Sequence, residues 1–98
     1  MSHWIHPDAE AELGDAAVYY GMHASRTIAE AFLAEYERVL ELLVENQQLG
    51  PHAEHGMRLF HFDRFPYTII YEENARLGPQ IFAVSHQRRE PDHWVSRL

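Results

Sequence analysis

Phe65-Pro66-Tyr67-Thr68-Ile69-Ile70-Tyr71-Glu72 decides how the rest of the chain is read. Proline is excluded from the interior of a central strand, and the residues from Tyr67 onward are aromatic or β-branched. Pro66 therefore closes a turn that opens at Asp63, and a strand runs from Tyr67 to Glu72. Two runs of the same character flank it: Met57 to Phe62 before, and Gln80 to Ser85 after a turn at Asn74 to Pro79. Links this short join antiparallel neighbours, so the C-terminal half reads as a three-stranded meander.

Upstream the period lengthens to that of helices. Ser2 to His6 reads as a short strand stopped by Pro7, which suits the first position of a helix, with Asp8 and Glu10 against the positive end of its dipole. Ala9, Leu13, Ala16, Ala17 and Tyr20 repeat at helical spacing and Gly21 is a natural stop, which predicts a first helix over Pro7 to Tyr20. The link from Gly21 to Ala24 is short enough to make a helical hairpin. The second helix starts at Ser25, or at Thr27 with Glu30 in capping-box position, and ends near Asn46 ahead of Leu49, Gly50 and Pro51. It gathers Ile28, Phe32, Tyr36, Val39, Leu40 and Leu43 on one side and Glu30, Glu37, Glu41 and Glu45 on the other. The expected architecture is α+β. An N-terminal strand and a two-helix hairpin pack on a twisted antiparallel sheet in the order β-α-α-β-β-β, with a short C-terminal helical tail after Pro91.

A length of 98 residues predicts one domain over residues 1–98, since cores divide only beyond ~250 residues. No run approaches the ~18 apolar residues of a membrane span, and no basic segment precedes an apolar one at the start. The expectation is a cytoplasmic protein without a membrane partner. The absence of Cys removes disulfides, thiol catalysis and Cys-ligated metals. The formal net charge is −7, and all eight basic residues are Arg. Nine acidic residues and two Arg lie in residues 1–50, but six of each lie in residues 51–98, so the excess acid belongs to the helical half. Overall acidity disfavours nucleic acid as the direct partner.

Both faces of the predicted sheet are apolar. Tyr67, Ile69 and Tyr71 oppose Thr68 and Ile70 on one strand, and Phe82 and Val84 oppose Ile81 and Ala83 on the next. Two helices cover one face only. The C-terminal tail, a second copy in a homodimer or a different protein must cover the other, and a protein partner is the expectation.

The ordered set Arg58, Arg64-Phe65-Pro66-Tyr67, Ile69, Tyr71, Ala83-Val84-Ser85-His86, Arg88-Arg89, Pro91, Trp94 and Arg97 resembles the RelE/ParE toxin superfamily, and more narrowly its plasmid-stabilisation branch. The match extends upstream to Ala9, Glu12, Leu13, Ala16, Tyr19-Tyr20 and Phe32. The resemblance implies a helical hairpin on a sheet, acting as the toxin of a type II toxin-antitoxin module and neutralised by a cognate antitoxin. Within the superfamily the ParE-like branch is associated with poisoning DNA gyrase, and the RelE-like branch cuts messenger RNA on the ribosome. A member that keeps the fold but not the toxicity would be a plain binding module.

RNA cleavage through the ribose 2′-hydroxyl needs a proton acceptor, a proton donor and positive charge on the phosphate. The lysines that RelE-like nucleases use have no counterpart here, and Arg is a poor proton shuttle. The candidates left for a nuclease are His86, at the end of the last strand, and Arg58 for charge. His61, alternating with Met57 and Leu59, reads as a satisfied, partly buried histidine. Arg64, Arg88 and Arg89, with Tyr67 and Trp94 stacked beside them, form a candidate surface for target or antitoxin. Salt bridges to Asp63, Glu72, Glu73, Glu90 and Asp92 are the plain alternative, and Pro91 and Trp94 can instead anchor the tail. His3 with His6, and His52 with His55, lack an accompanying ligand pattern, so no metal and no cofactor is expected. The balance points to a ParE-like toxin that acts by binding. The glutamates of the second helix read as a solvated face or as an acidic handle for a basic partner.

Overall fold

The computed structural model describes residues 2–98. Its elements are β1 (Trp4–Ile5), α1 (Pro7–His23), α2 (Arg26–Glu45), β2 (Arg58–His61), β3 (Tyr67–Glu72) and β4 (Gln80–His86), with single 3-10 turns at Glu54–Gly56 and Val95–Arg97. The predicted order β-α-α-β-β-β holds, as does the turn in the tail beyond Pro91. The sheet order is β1-β4-β3-β2. β2, β3 and β4 form the antiparallel meander. The sheet as a whole is mixed, however, because β1 lies parallel to β4, with Trp4 opposite Gln80 and Ile5 opposite Ile81. The crossover through two helices brings the chain back in the same direction, which a hairpin link would not.

Two local expectations are corrected, and the choice between the two starts of α2 is settled. Gly21 does not stop α1, which continues to His23; the turn is made by the Ala24 and Ser25 N–H groups, both donating to the Tyr20 carbonyl. Ser25, not Thr27, caps α2, its hydroxyl accepting the Ile28 N–H at 3.1 Å. Strict alternation fails on β4. A register shift at Ile70/Tyr71 pairs Ile70 with Ala83 and Tyr71 with Ile81, leaving Phe82 as the extra residue of a bulge. Ile81 and Val84 consequently share the helix-facing core, while Ala83 joins the other face.

Helix-side packing centres on Phe32, whose ring lies 5.0 Å from Tyr67, 5.3 Å from Phe65, 5.3 Å from Tyr20 and 5.6 Å from Phe62. Phe65-Pro66-Tyr67 is thus an aromatic clasp around α2, tied to the end of β4 by the Gln87 N–H donating to the Pro66 carbonyl. The far face is covered by the chain itself. Trp94 is buried on Met57, Ile70 and Ala83, and its indole N–H donates to the Pro91 carbonyl at 2.7 Å.

Candidate functional site

The residues selected from sequence fall into three groups. Arg58 is committed to the fold. Its guanidinium binds the Glu73 carboxylate, donates to the Gly50 carbonyl at 2.6 Å and the Gln48 carbonyl at 3.3 Å, and meets His52 Nε2 at 3.3 Å. It fastens the segment after α2 onto β2. Arg58 also pairs with Tyr71, while His86 pairs with Tyr67. Four residues of β3 separate those pairs, ~13 Å at about 3.3 Å per residue, so the sheet does not bring Arg58 to His86. Trp94 is likewise removed from any recognition surface, being 3% exposed. A side chain that fills the far-face core has no surface to stack a ligand on.

Tyr67, His86 and Arg89 converge, and Arg64 and Arg88 lie in the turn and tail segments at the same end of the sheet. The β2–β3 turn and the end of β4 share one end of the sheet, and Tyr67 meets His86 edge-on at 5.2 Å. Arg64 and Arg88 are exposed and make no ion pair among the described residues. Arg89 is half-exposed and bonds Glu12 at 2.9 Å. Two grooves open beside His86 and Arg89. One, of about 250 Å³, runs against α1 and is walled by Asp15, Tyr19 and Tyr67; the other, about 260 Å³, lies over the far face beside His61, Thr68 and Gln87.

The protonation chemistry of this end is constrained by its hydrogen bonds. His86 Nδ1 accepts the Arg88 backbone N–H at 3.1 Å, so the ring proton sits on Nε2. His61 is exposed, not partly buried as its alternation predicted, because it lies on the edge strand β2; Nδ1 contacts the Thr68 hydroxyl at 2.6 Å. Burial, with Tyr20 and Tyr19 adding to it, raises the Tyr67 phenol above its ordinary pKa, so Tyr67 stays neutral.

Beneath Arg89 lies a cluster that the sequence reading did not assemble. Glu12, from α1, accepts Arg97 through both oxygens at 2.8 and 2.9 Å, the Val84 N–H at 3.1 Å, Arg89 at 2.9 Å and His93 at 3.1 Å. Burial alone would raise this carboxyl, but the bonds from Arg97, Val84 and His93 outweigh it and hold Glu12 below its ordinary pKa. Arg97 also donates to the Phe82 carbonyl at 2.9 Å. β1 ends at Ile5, so the β4 edge beyond Ile81 would stand open; Glu12 and Arg97 satisfy its N–H and C=O in place of a strand. The available signal was an acid beside Ala9 and Ala16 on the buried flank of helix one, with two tail arginines to match it. Glu35 was missed as well. It is buried, bonded by Arg38 at 3.0 and 3.3 Å and by the Asp63 N–H at 2.7 Å, and these contacts hold it below the ordinary carboxylate range.

The arrangement of a helical hairpin on this sheet has counterparts among known proteins. The family model described as "ParE toxin of type II toxin-antitoxin system, parDE" matches residues 5–91. The chain belongs to that family. A solved structure titled "Chromosomal ParDE TA system from P. aeruginosa" is similar in fold, with a TM-score of 0.75 and 21% identity over 88% of this chain and 95% of that one. No curated protein sequence matches the chain. Family membership makes this a toxin of a type II toxin-antitoxin system. No helix of the described residues is long and apolar enough to cross a membrane.

Proposed function

We propose that this ParE-family chain arrests growth in the cytoplasm by binding DNA gyrase, and that a cognate antitoxin holds it inactive by occupying the end of the sheet at Arg64, Tyr67, His86, Arg88 and Arg89. The observation that carries this reading is the presence, at one end of the sheet, of two exposed arginines that make no ion pair among the described residues. Arg64 and Arg88 can clamp carboxylates or phosphates of a partner. The nuclease alternative has less support at the same place, because the chain has no Lys and Arg58 is turned into the fold.

Purified protein added to gyrase is expected to inhibit DNA supercoiling, and added antitoxin to restore it. Arg64→Ala with Arg88→Ala is expected to abolish inhibition without altering the fold. Supercoiling that is unaffected over a wide range of protein concentration, together with cleavage of ribosome-bound message, would replace this reading with the nuclease one. Supercoiling and message both left intact by folded protein would leave a binding module without toxicity.

A further inference from the structure

The acids of the helical half divide into two populations. Glu12 and Glu35, and at longer distance Asp8 and Glu30, each hold an arginine. Glu10 on α1 and Glu37, Glu41 and Glu45 on α2 hold none among the described residues. Glu37, Glu41 and Glu45 stand one helical turn apart, where like charges repel by a few tenths of a kcal/mol per pair. Beside them the apolar stripe of α2 is left incompletely covered. Leu40 and Val44 are only half-buried, and with His3, Glu41 and Glu45 they line a groove of about 480 Å³. Charge from both helices reaches this region, since the buried Tyr36 phenol is pushed up to about 12, first by burial and then by Glu10 and Glu37.

We infer that this groove, with an apolar floor at Leu40 and Val44 and an acidic rim at Glu41 and Glu45 that Glu37 extends one turn back along α2, receives a cationic amphipathic helix of a partner protein. Charge complementarity selects the occupant. A helix carrying Arg or Lys at i, i+4 and i+8 repeats the ~6 Å spacing of the three glutamates, and apolar residues between them meet Leu40 and Val44. The same rim repels nucleic acid. No group of three or more ligating side chains able to hold a metal ion occurs among the described residues. A second copy of this chain is a poorer match, because its unpaired Arg64 and Arg88 lie in a turn and in the tail and not along a helix. This surface is separate from the sheet end assigned above, and its test does not depend on that assignment.

The probe is a synthetic helical peptide of about 12 residues, ~18 Å long, with Arg at i, i+4 and i+8 and Leu between them, against a scrambled peptide of equal composition. Binding to the full chain is read by fluorescence anisotropy at low and high salt and mapped by amide chemical shifts. The patterned peptide is expected to bind with shifts centred on His3, Leu40, Glu41, Val44 and Glu45, and more weakly at high salt. Glu37→Gln with Glu41→Gln and Glu45→Gln is expected to weaken it about tenfold, three rim pairs being lost together. These side chains are exposed and mutually repulsive, so the variant is expected to melt no lower than the parent. Equal binding of the scrambled peptide, an unaffected triple variant, or shifts centred elsewhere would overturn the inference. So would concentration-dependent self-association that buries the groove, which would make a second copy the occupant.

Discussion

Replacing Glu12 tests whether the tail arginines of this family are structural. In Glu12→Ala, Arg97, a side chain 9% exposed, keeps its bond to the Phe82 carbonyl and a 3.7 Å ion pair with the exposed Asp8, and the Val84 N–H loses its acceptor. Removing one partner of a buried ion pair costs about 3–5 kcal/mol when the remaining charge is left unpaired, and with Asp8 still in place the lower end of that range is expected. Against a total stability of ~5–15 kcal/mol, that is a large fraction. Glu12→Gln retains an acceptor and is expected to lose roughly half as much. Urea unfolding followed by tryptophan fluorescence measures the loss, and Trp94 reports the tail directly. Trypsin cleavage after Arg88, Arg89 and Arg97 should accelerate in the alanine variant as the tail leaves the sheet. A loss below ~1 kcal/mol with the tail still protected would refute the clamp and return Arg89 and Arg97 to the pool of recognition residues.

Acid should destabilise the protein through Glu12 and Glu35. Both are held below their ordinary pKa, so their contribution is complete above the unfolded value near ~4.3 and is lost as pH falls through the folded values. Glu12→Gln should flatten that limb of a stability-against-pH curve. At the alkaline side Tyr36 reverses the sign: its pKa of about 12 lies above the unfolded ~10, so stability is intact below pH ~10 and declines towards 12, and Tyr36→Phe should remove that component. Gly50→Ala should cost at least about 2 kcal/mol in chemical denaturation, because its Cβ would lie 2.3 Å from the Leu59 carbonyl oxygen and 2.8 Å from the Tyr71 hydroxyl. Arg58→Ala should lower the melting temperature through loss of the Gly50 and Glu73 contacts, whereas Arg88→Ala should leave it unchanged and reduce growth arrest.

The parts of this fold that were legible in sequence are those with local causes. Period 3.6 in Ala9 to Tyr20 and period 2 in Tyr67 to Glu72 are set by residues a few positions apart; β3 has its predicted bounds, and α1 starts where predicted and runs on to His23. Two apolar faces on β3 also announced that something besides the helices must cover the sheet. What covers it, Trp94, follows from contacts with β2, β3 and β4 that no window of sequence contains. The parallel pairing of β1, the bulge at Phe82 and the Glu12–Arg97 pair, 85 positions apart, are likewise settled by tertiary geometry. The candidate site was half legible for the same reason. Arg64, Tyr67, His86, Arg88 and Arg89 lie in elements whose order alone brings them to one end. Arg58 and Trp94 depended on which way their side chains turn.

The net charge of −7 therefore governs neither surface of this molecule. Phe32 touches Tyr67 at the arginine end of the sheet, and Glu41 and Glu45 follow it by 9 and 13 residues along α2, roughly 14 and 20 Å. Charges that far apart are largely screened from one another by a Debye length of ~8 Å at physiological salt. Arg64 and Arg88 can thus attract an anionic partner while the α2 groove attracts a cationic one, each responding to its own local potential. Salt should weaken both contacts, and substitutions at one end should leave affinity at the other unchanged. That independence is what a toxin needs if one surface is to be neutralised while another stays in use.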